Sequence, residues 1–175
     1  IVHAVAAVAQ LPQQGRLTRG QGLAQVGDPA QRLAQGQKVL RASQIILDER
    51  IARPILLGHK ETILEAIKKL DLDLGGVEIV DPARSRKFDA YVNVYHELRQ
   101  RKGITKRDAQ DQMQRPVPYA LTMVRMGDAD GIVTGLTQNY PETIRPALQI
   151  VGSMPGVDVI AGLYIAHVAY IRLET

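Results

Sequence analysis

The feature that most constrains this chain is an alternation of two hydrophobic periods. Short apolar runs bounded by turn residues take turns with stripes spaced three and four residues apart. Pro54-Ile-Leu-Leu57 ends at Gly58, and Val77-Glu-Ile-Val80 is stopped by Asp81-Pro82. Ile132-Val133 ends at Gly135, and Val157 to Ile165 forms a further apolar run. By length and flanks these read as strands. Between them, Val39, Ala42, Ser43 and Ile46 share one helical face, and Ile63, Leu64, Ile67 and Leu70 share another. Phe88, Tyr91, Val92, Tyr95 and Leu98 form the cleanest stripe, closed by Gly103. Thr105 with Asp108 has the spacing of a capping box and predicts a helix start. Pro116 and Pro118 interrupt that helix, a short one follows through Tyr119 to Met126, and Thr143 to Val151 forms the last. Strands alternating with helices of this length predict an α/β fold with a mostly parallel sheet flanked by helices.

The first 37 residues do not follow this pattern. Residues 1–10 are rich in alanine and predict a short helix. From Gln10 to Gln37 there are eight Gln and five Gly, with Pro12 and Pro29 and few bulky apolar residues. That composition predicts a linker or irregular tail over 1–37, with the folded domain covering 38–175.

Composition narrows the function classes. The 175 residues include no cysteine, which excludes disulfides, Cys-ligated zinc and a thiol nucleophile. The net charge is +4, and half of that excess sits before Lys38, where Arg16, Arg19 and Arg32 face only Asp28. The remaining 19 of 22 basic residues are interspersed with 17 of 18 acidic ones, with no stacking aromatics. A nucleic-acid partner is therefore not expected. Ala4 to Ala9 lacks a basic flank and is too short for a secretory signal. The run from Ile160 to Ile171 is interrupted by His167 and is too short to span a bilayer. The expectation is a cytoplasmic protein without membrane contact.

Ligands of open α/β sheets bind beyond the C-terminal ends of strands, near helix N-termini. Two places fit. One is Leu57-Gly58-His59 leading to Lys60. The other runs from Val133 through Thr134, Gly135, Thr137 and Asn139 to the helix carrying Thr143 and Arg145. The second offers hydroxyls, an amide and a guanidinium, and Gly135 lets backbone N–H groups approach an anion. An ordinary capped strand-to-helix loop has the same spacing. Arg99, Arg101, Lys102, Lys106 and Arg107 cluster around Gly103 and suit either phosphate groups or a solvated helix end. Asp128 and Asp130 suit either a cation or a turn. His3, His59, His96 and His167 show no metal-ligand spacing. Neither a dinucleotide nor a P-loop fingerprint occurs.

The segments VLRASQIILDERIARPILLG (39–58), VEIVDP (77–82), YHELRQRKGIT (95–105), ALTMVRMGDADGIVTG (120–135) and YPETIRPALQIVG (140–152) resemble, in order and spacing, the phosphate acetyltransferase family. The resemblance implies a two-part α/β fold of which this chain carries the first half, and an acetyl transfer between coenzyme A and phosphate. NYPETIRPALQIVG and GVDVIAGLYI are most similar to the hybrid NADP-dependent malic enzymes, in which a region of this kind follows the malate-oxidising part. That narrower resemblance implies a dimerising, acetyl-CoA-sensing regulatory region within a homo-oligomer. NADP and a divalent metal would belong to the malic part alone. The family's arginines in the Y-x-E-L-R and T-[IL]-R-P segments fall on Arg99 and Arg145, implying contacts to acyl-CoA or phosphate. Its catalytic serine, aspartate and further arginine lie in the second half, so this stretch carries no catalytic residue and is expected to be inactive alone. Two departures stand out. No strand pattern precedes Lys38 where the family has one, and Pro116 and Pro118 enter a segment that is helical in the family.

Overall fold

The computed structural model describes residues 4–8, 29–134, 140–153 and 156–157. Among these residues, four strands form one sheet: β1 (Ala4–Val8), β2 (Arg53–Leu57), β3 (Glu78–Val80) and β4 (Gly131–Val133). Six helices accompany them: α1 (Pro29–Asp48), α2 (Lys60–Lys69), α3 (Phe88–Arg99), α4 (Lys106–Met113), α5 (Pro116–Arg125) and α6 (Tyr140–Ile150). The strand order is β3-β2-β1-β4, and every pairing is parallel. The α/β architecture with a parallel sheet is thus as the alternating periods predict.

The period of two in β2 explains the layering. Ile55 and Leu57 point into a core built with Tyr91, Val92 and Tyr95 of α3, Met113 of α4 and Ile150 of α6. Leu56, between them, points into a second core with Leu40 of α1, Ile63 of α2 and Leu74. Successive side chains of a strand face opposite sides of the sheet, so a strand with helices on both faces must be apolar at every position. Pro54 to Leu57 are accordingly all buried.

The N-terminal part departs from expectation. Ala4–Val8, expected as a short helix, is a strand between β2 and β4, with Ala6 opposite both Ile55 and Ile132. Alanine's helical preference is worth only a fraction of a kcal/mol per residue, and pairing on both edges outweighs it. The strand that seemed lost before Lys38 is therefore present, far upstream. Residues 29–37, expected as linker, are the first part of α1, so the helix begins nine positions before Lys38. Pro29 suits a first helical position because its missing N–H has no partner there, and the glutamines that follow are good helix formers.

Local signals hold elsewhere. Thr105 and Asp108 form the reciprocal capping box, with the Asp108 N–H donating to Thr105 Oγ1 at 3.2 Å and the Thr105 N–H to Asp108 Oδ2 at 2.9 Å. Gly103 adopts φ 81°, a left-handed conformation that closes the turn after α3. The two prolines at 116 and 118 lie in the first turn of α5, where the backbone N–H groups they lack would be unpaired anyway. The apolar run after Val157 lies outside the described residues. No described helix is long and apolar enough to cross a membrane.

Candidate functional site

Arg99 is the last residue of α3 and is half-buried. Its Nε is buried and has no hydrogen-bond partner among the described residues. Arg99 and Arg115 both lie close enough to Tyr95 to favour its phenolate, yet burial dominates and pushes the Tyr95 hydroxyl up. Two guanidinium groups therefore border one buried ring where α3 ends. Their neighbours Arg101 and Lys102 are exposed in the 3-10 turn that follows, and Lys106 and Arg107 are exposed in the first turn of α4.

Around β4, Thr134 directly follows the strand and is half-buried. Gly135, Thr137 and Asn139 lie outside the described residues. Thr143 and Arg145 both belong to α6, but two positions on a helix are separated by roughly 200°. Thr143 is half-buried, with its Oγ1 shielded and without a hydrogen-bond partner among the described residues, whereas Arg145 is exposed. The fold therefore sends these two side chains to different sides of one helix. α3 and α6 both pack on α5, which makes α5 the common support of Arg99 and Arg145. Arg125 fixes one end of that arrangement by donating from Nη1 to the Ile150 carbonyl at 2.7 Å.

A second feature lies at the C-terminal ends of β2 and β3, the first of the two places expected from the strand-to-helix loops. A cleft of about 440 Å³ opens between the segment after β3, the start of α2 and the inner faces of α3 and α5. Its apolar wall includes Ile55, Val80 and Met123, and its polar wall includes Lys60, Arg84 and Arg86. The segment from Asp81 to Lys87 is held by short-range bonds. Asp81 caps a 3-10 turn by accepting from the Ala83 N–H at 3.1 Å, and Ser85 Oγ accepts from the Lys87 N–H at 3.2 Å. Tyr119 of α5 donates its hydroxyl to Ser85 Oγ at 2.5 Å.

Asp128 completes this wall. Lys87 Nζ and the Tyr91 hydroxyl donate to its two carboxylate oxygens. Partial burial opposes its ionisation, but the bonds from Lys87 and Tyr91 outweigh that and hold the carboxyl below the usual range. Burial, and then the Asp128 carboxylate, push the Tyr91 hydroxyl well above the ordinary tyrosine range. Both oxygens of Asp128 are thus occupied by protein donors from the segment before α3 and from α3 itself. Among the described residues, no group of three His, Asp or Glu stands ready to hold a metal.

The basic residues Arg84, Arg86 and Lys87 were not among the sequence candidates. Their signal was present, as three cations within four positions directly after Asp81-Pro82. Only the fold shows that they meet Lys60, more than twenty positions upstream, on one cleft.

Comparison with known proteins agrees with this architecture. Residues 33–172 match the profile of the family described as phosphate acetyl/butaryl transferase. The chain is 41% identical over 129 residues to a phosphate acetyltransferase of Nitratidesulfovibrio vulgaris, covering 74% of this chain and 18% of that protein. It is 37% identical over 131 residues to a phosphate acetyltransferase of Thermoanaerobacterium thermosaccharolyticum, covering 75% of this chain and 39% of that one. Among solved structures, the EutD phosphotransacetylase from Staphylococcus aureus superposes with a TM-score of 0.69 at 25% identity, over 90% of this chain and 40% of that chain. A phosphotransacetylase from Streptococcus pyogenes gives 0.66 at 31% identity, over 70% of this chain and 37% of that chain. The chain spans well under half the length of these relatives. It belongs to the phosphate acetyl/butaryl transferase family.

Proposed function

We propose that this chain is the N-terminal half of a phosphate acetyltransferase, and that it holds the phosphate-bearing substrate while acetyl passes between coenzyme A and phosphate. The observation that carries the proposal is the Nε of Arg99, buried at the end of α3 and without a partner among the described residues. A buried donor left unpaired is costly, and a phosphate oxygen would satisfy it with a charge-assisted hydrogen bond of about 1.5–3 kcal/mol. Arg145, exposed on α6, would add a second cation, and Thr134, Gly135 and, from another side of α6, Thr143 would supply neutral donors. Their roles are binding and charge neutralisation. The groups that act on the acetyl carbon would come from the other half of the two-part fold.

The relatives named above favour this reading over a regulatory region of a hybrid malic enzyme. The malic-enzyme reading rests on the segments around NYPETIRPALQIVG and GVDVIAGLYI, and on nothing in the fold. On that reading acetyl-CoA would be an effector, and NADP and a divalent metal would be bound elsewhere in the protein. On either reading the protein acts in the cytoplasm as a homo-oligomer on small anionic ligands.

The experiment is a steady-state assay of acetyl phosphate formed from acetyl-CoA and phosphate by the intact protein, with Arg99→Ala and Arg145→Ala alongside. Each variant should raise KM for phosphate or acetyl-CoA by about tenfold or more. Unchanged constants in both would refute the site. Malate-dependent NADP reduction by the same intact protein, with no acetyl phosphate formed, would establish the regulatory reading instead.

A further inference from the structure

The cleft after β3 carries an inference independent of the acetyl transfer. Its wall holds four cations, Lys60, Arg84, Arg86 and Lys87, against three carboxylates, Glu78, Asp81 and Asp128. Two of the cations are already neutralised. Lys87 pairs with Asp128, and Arg84 donates to Glu61 at 3.0 Å with Asp81 at 3.9 Å on its other side. Lys60 and Arg86 have neither a hydrogen bond nor an ion pair among the described residues, and both are exposed. Glu78 is the one carboxylate of the wall in the same condition. The charges of the cleft left outside these pairs are therefore two cations, Lys60 and Arg86, and one carboxylate, Glu78.

The shape and remaining lining of the cleft add to these charges. A volume of about 440 Å³ lies within the range of small-ligand sites, which combine apolar walls with a few convergent polar groups. Ile55, Val80 and Met123 supply the apolar side. The polar side is held in place. Ser85 is fixed by Tyr119, and Lys87 by Asp128, so the segment bearing Arg86 is anchored on both flanks. Glu61 holds Arg84 against the start of α2, next to Lys60.

We propose that this cleft binds a phosphate monoester with a small apolar body, its phosphate held between Lys60 and Arg86 and its body against Ile55, Val80 and Met123. Arg86 can offer two parallel N–H donors to the phosphate oxygens, and Lys60 a point charge. Glu78 opposes the anion and limits affinity. The cleft shares α3 and α5 with the Arg99 region, but its two unpaired cations lie at the start of α2 and in the segment before α3, so it would serve as an additional binding site of the protein.

The test is titration of the isotope-labelled protein with phenyl phosphate, followed through backbone amide shifts. Saturable shifts should appear at residues 60 and 84–87. Lys60→Ala and Arg86→Ala should each weaken binding by about tenfold, Glu78→Gln should tighten it, and Arg99→Ala should leave it unchanged. Inorganic phosphate should bind the same residues more weakly, since it lacks the apolar body. Because Lys60 and Arg86 are exposed and unpaired, their variants should keep the dispersion of the parent spectrum. Absence of shifts at 60 and 84–87, or shifts that survive both alanine variants, would overturn the proposal. Loss of binding in Arg99→Ala alone would assign the ligand to the Arg99 region and overturn it equally. None of these outcomes bears on acetyl phosphate formation, so the two proposals fail separately.

Discussion

The ammonium of Lys87 and the carboxylate of Asp128, 41 positions apart, form an ion pair that joins the segment before α3 to the turn before β4. Tyr91 donates to the second oxygen of the same carboxylate. Tyr91 in turn packs against Tyr119 with ring centroids 4.8 Å apart, and Tyr119 bonds to Ser85. One carboxylate thus ties together α3, α5 and two connecting segments around the cleft.

Replacing Asp128 by Ala should lower unfolding stability by about 2 kcal/mol, because the Tyr91 hydroxyl loses its acceptor while its ring remains buried. The Lys87 side is more than half exposed and contributes little of that loss. Urea denaturation of the variant beside Tyr91→Phe checks the assignment. The double variant should be less destabilised than the sum of the two, since both remove the same bond.

The same carboxylate sets a pH dependence. The folded protein holds Asp128 below its ordinary value of 3.8, so the folded state favours the ionised form. That stabilisation is fully present above the unfolded value and is lost as pH falls through the folded one. The stability gap between wild type and Asp128→Asn should therefore be constant near neutrality and shrink on acidification below about pH 4. Denaturation midpoints measured across that interval would show it, and a gap that widened with acid would contradict it.

Thr105→Ala should cost about 1 kcal/mol, the usual worth of an N-cap side chain, because Thr105 Oγ1 accepts from the Asp108 N–H. Thr105→Ser should retain most of the stability. Calorimetric midpoints of the two variants provide the comparison.

Leu56→Ala should cost about 3 kcal/mol by leaving a cavity in the core shared with Leu40, Ile63 and Leu74. Leu56 has 0% exposure, and neighbours in a parallel sheet cannot easily collapse onto the void. Equilibrium unfolding in urea, with an unchanged m-value, would confirm a loss confined to packing.

Thr143→Val separates a structural from a binding role. The Thr143 Oγ1 is buried without a partner among the described residues, so an isosteric methyl should leave stability unchanged or raise it by about 1 kcal/mol. If the hydroxyl contacts a phosphate-bearing substrate, KM in the intact protein should rise at the same time. A variant that lost stability with unaltered KM would assign the hydroxyl to the fold.

Elements whose signals are local were legible. The stripe of Phe88, Tyr91, Val92 and Tyr95 marks α3, Thr105 with Asp108 marks the start of α4, and the uninterrupted run from Pro54 to Leu57 marks a strand covered on both faces. In each case the deciding interactions lie within one turn or one strand. Arg99 was singled out for its cluster and its family segment, and its Nε, buried and unpaired among the described residues, gives that choice a physical content. The strand Ala4–Val8 was not legible, because five small residues carry almost no pattern of their own. Their conformation is decided by partners about 50 and 125 positions away.

By itself, the sequence determined the class of fold, the faces of most helices, the caps and turns, and the absence of thiol chemistry. Those follow from periodicity, from side-chain bonding within a few residues and from composition. Only the tertiary structure decided the order of the strands, the shielding of the Thr143 hydroxyl against the exposure of Arg145, and the meeting of Lys60 with Arg86 on one cleft. Each of these depends on contacts between residues distant in the chain, whose cost in chain entropy is met only when the whole sheet and its helices assemble together.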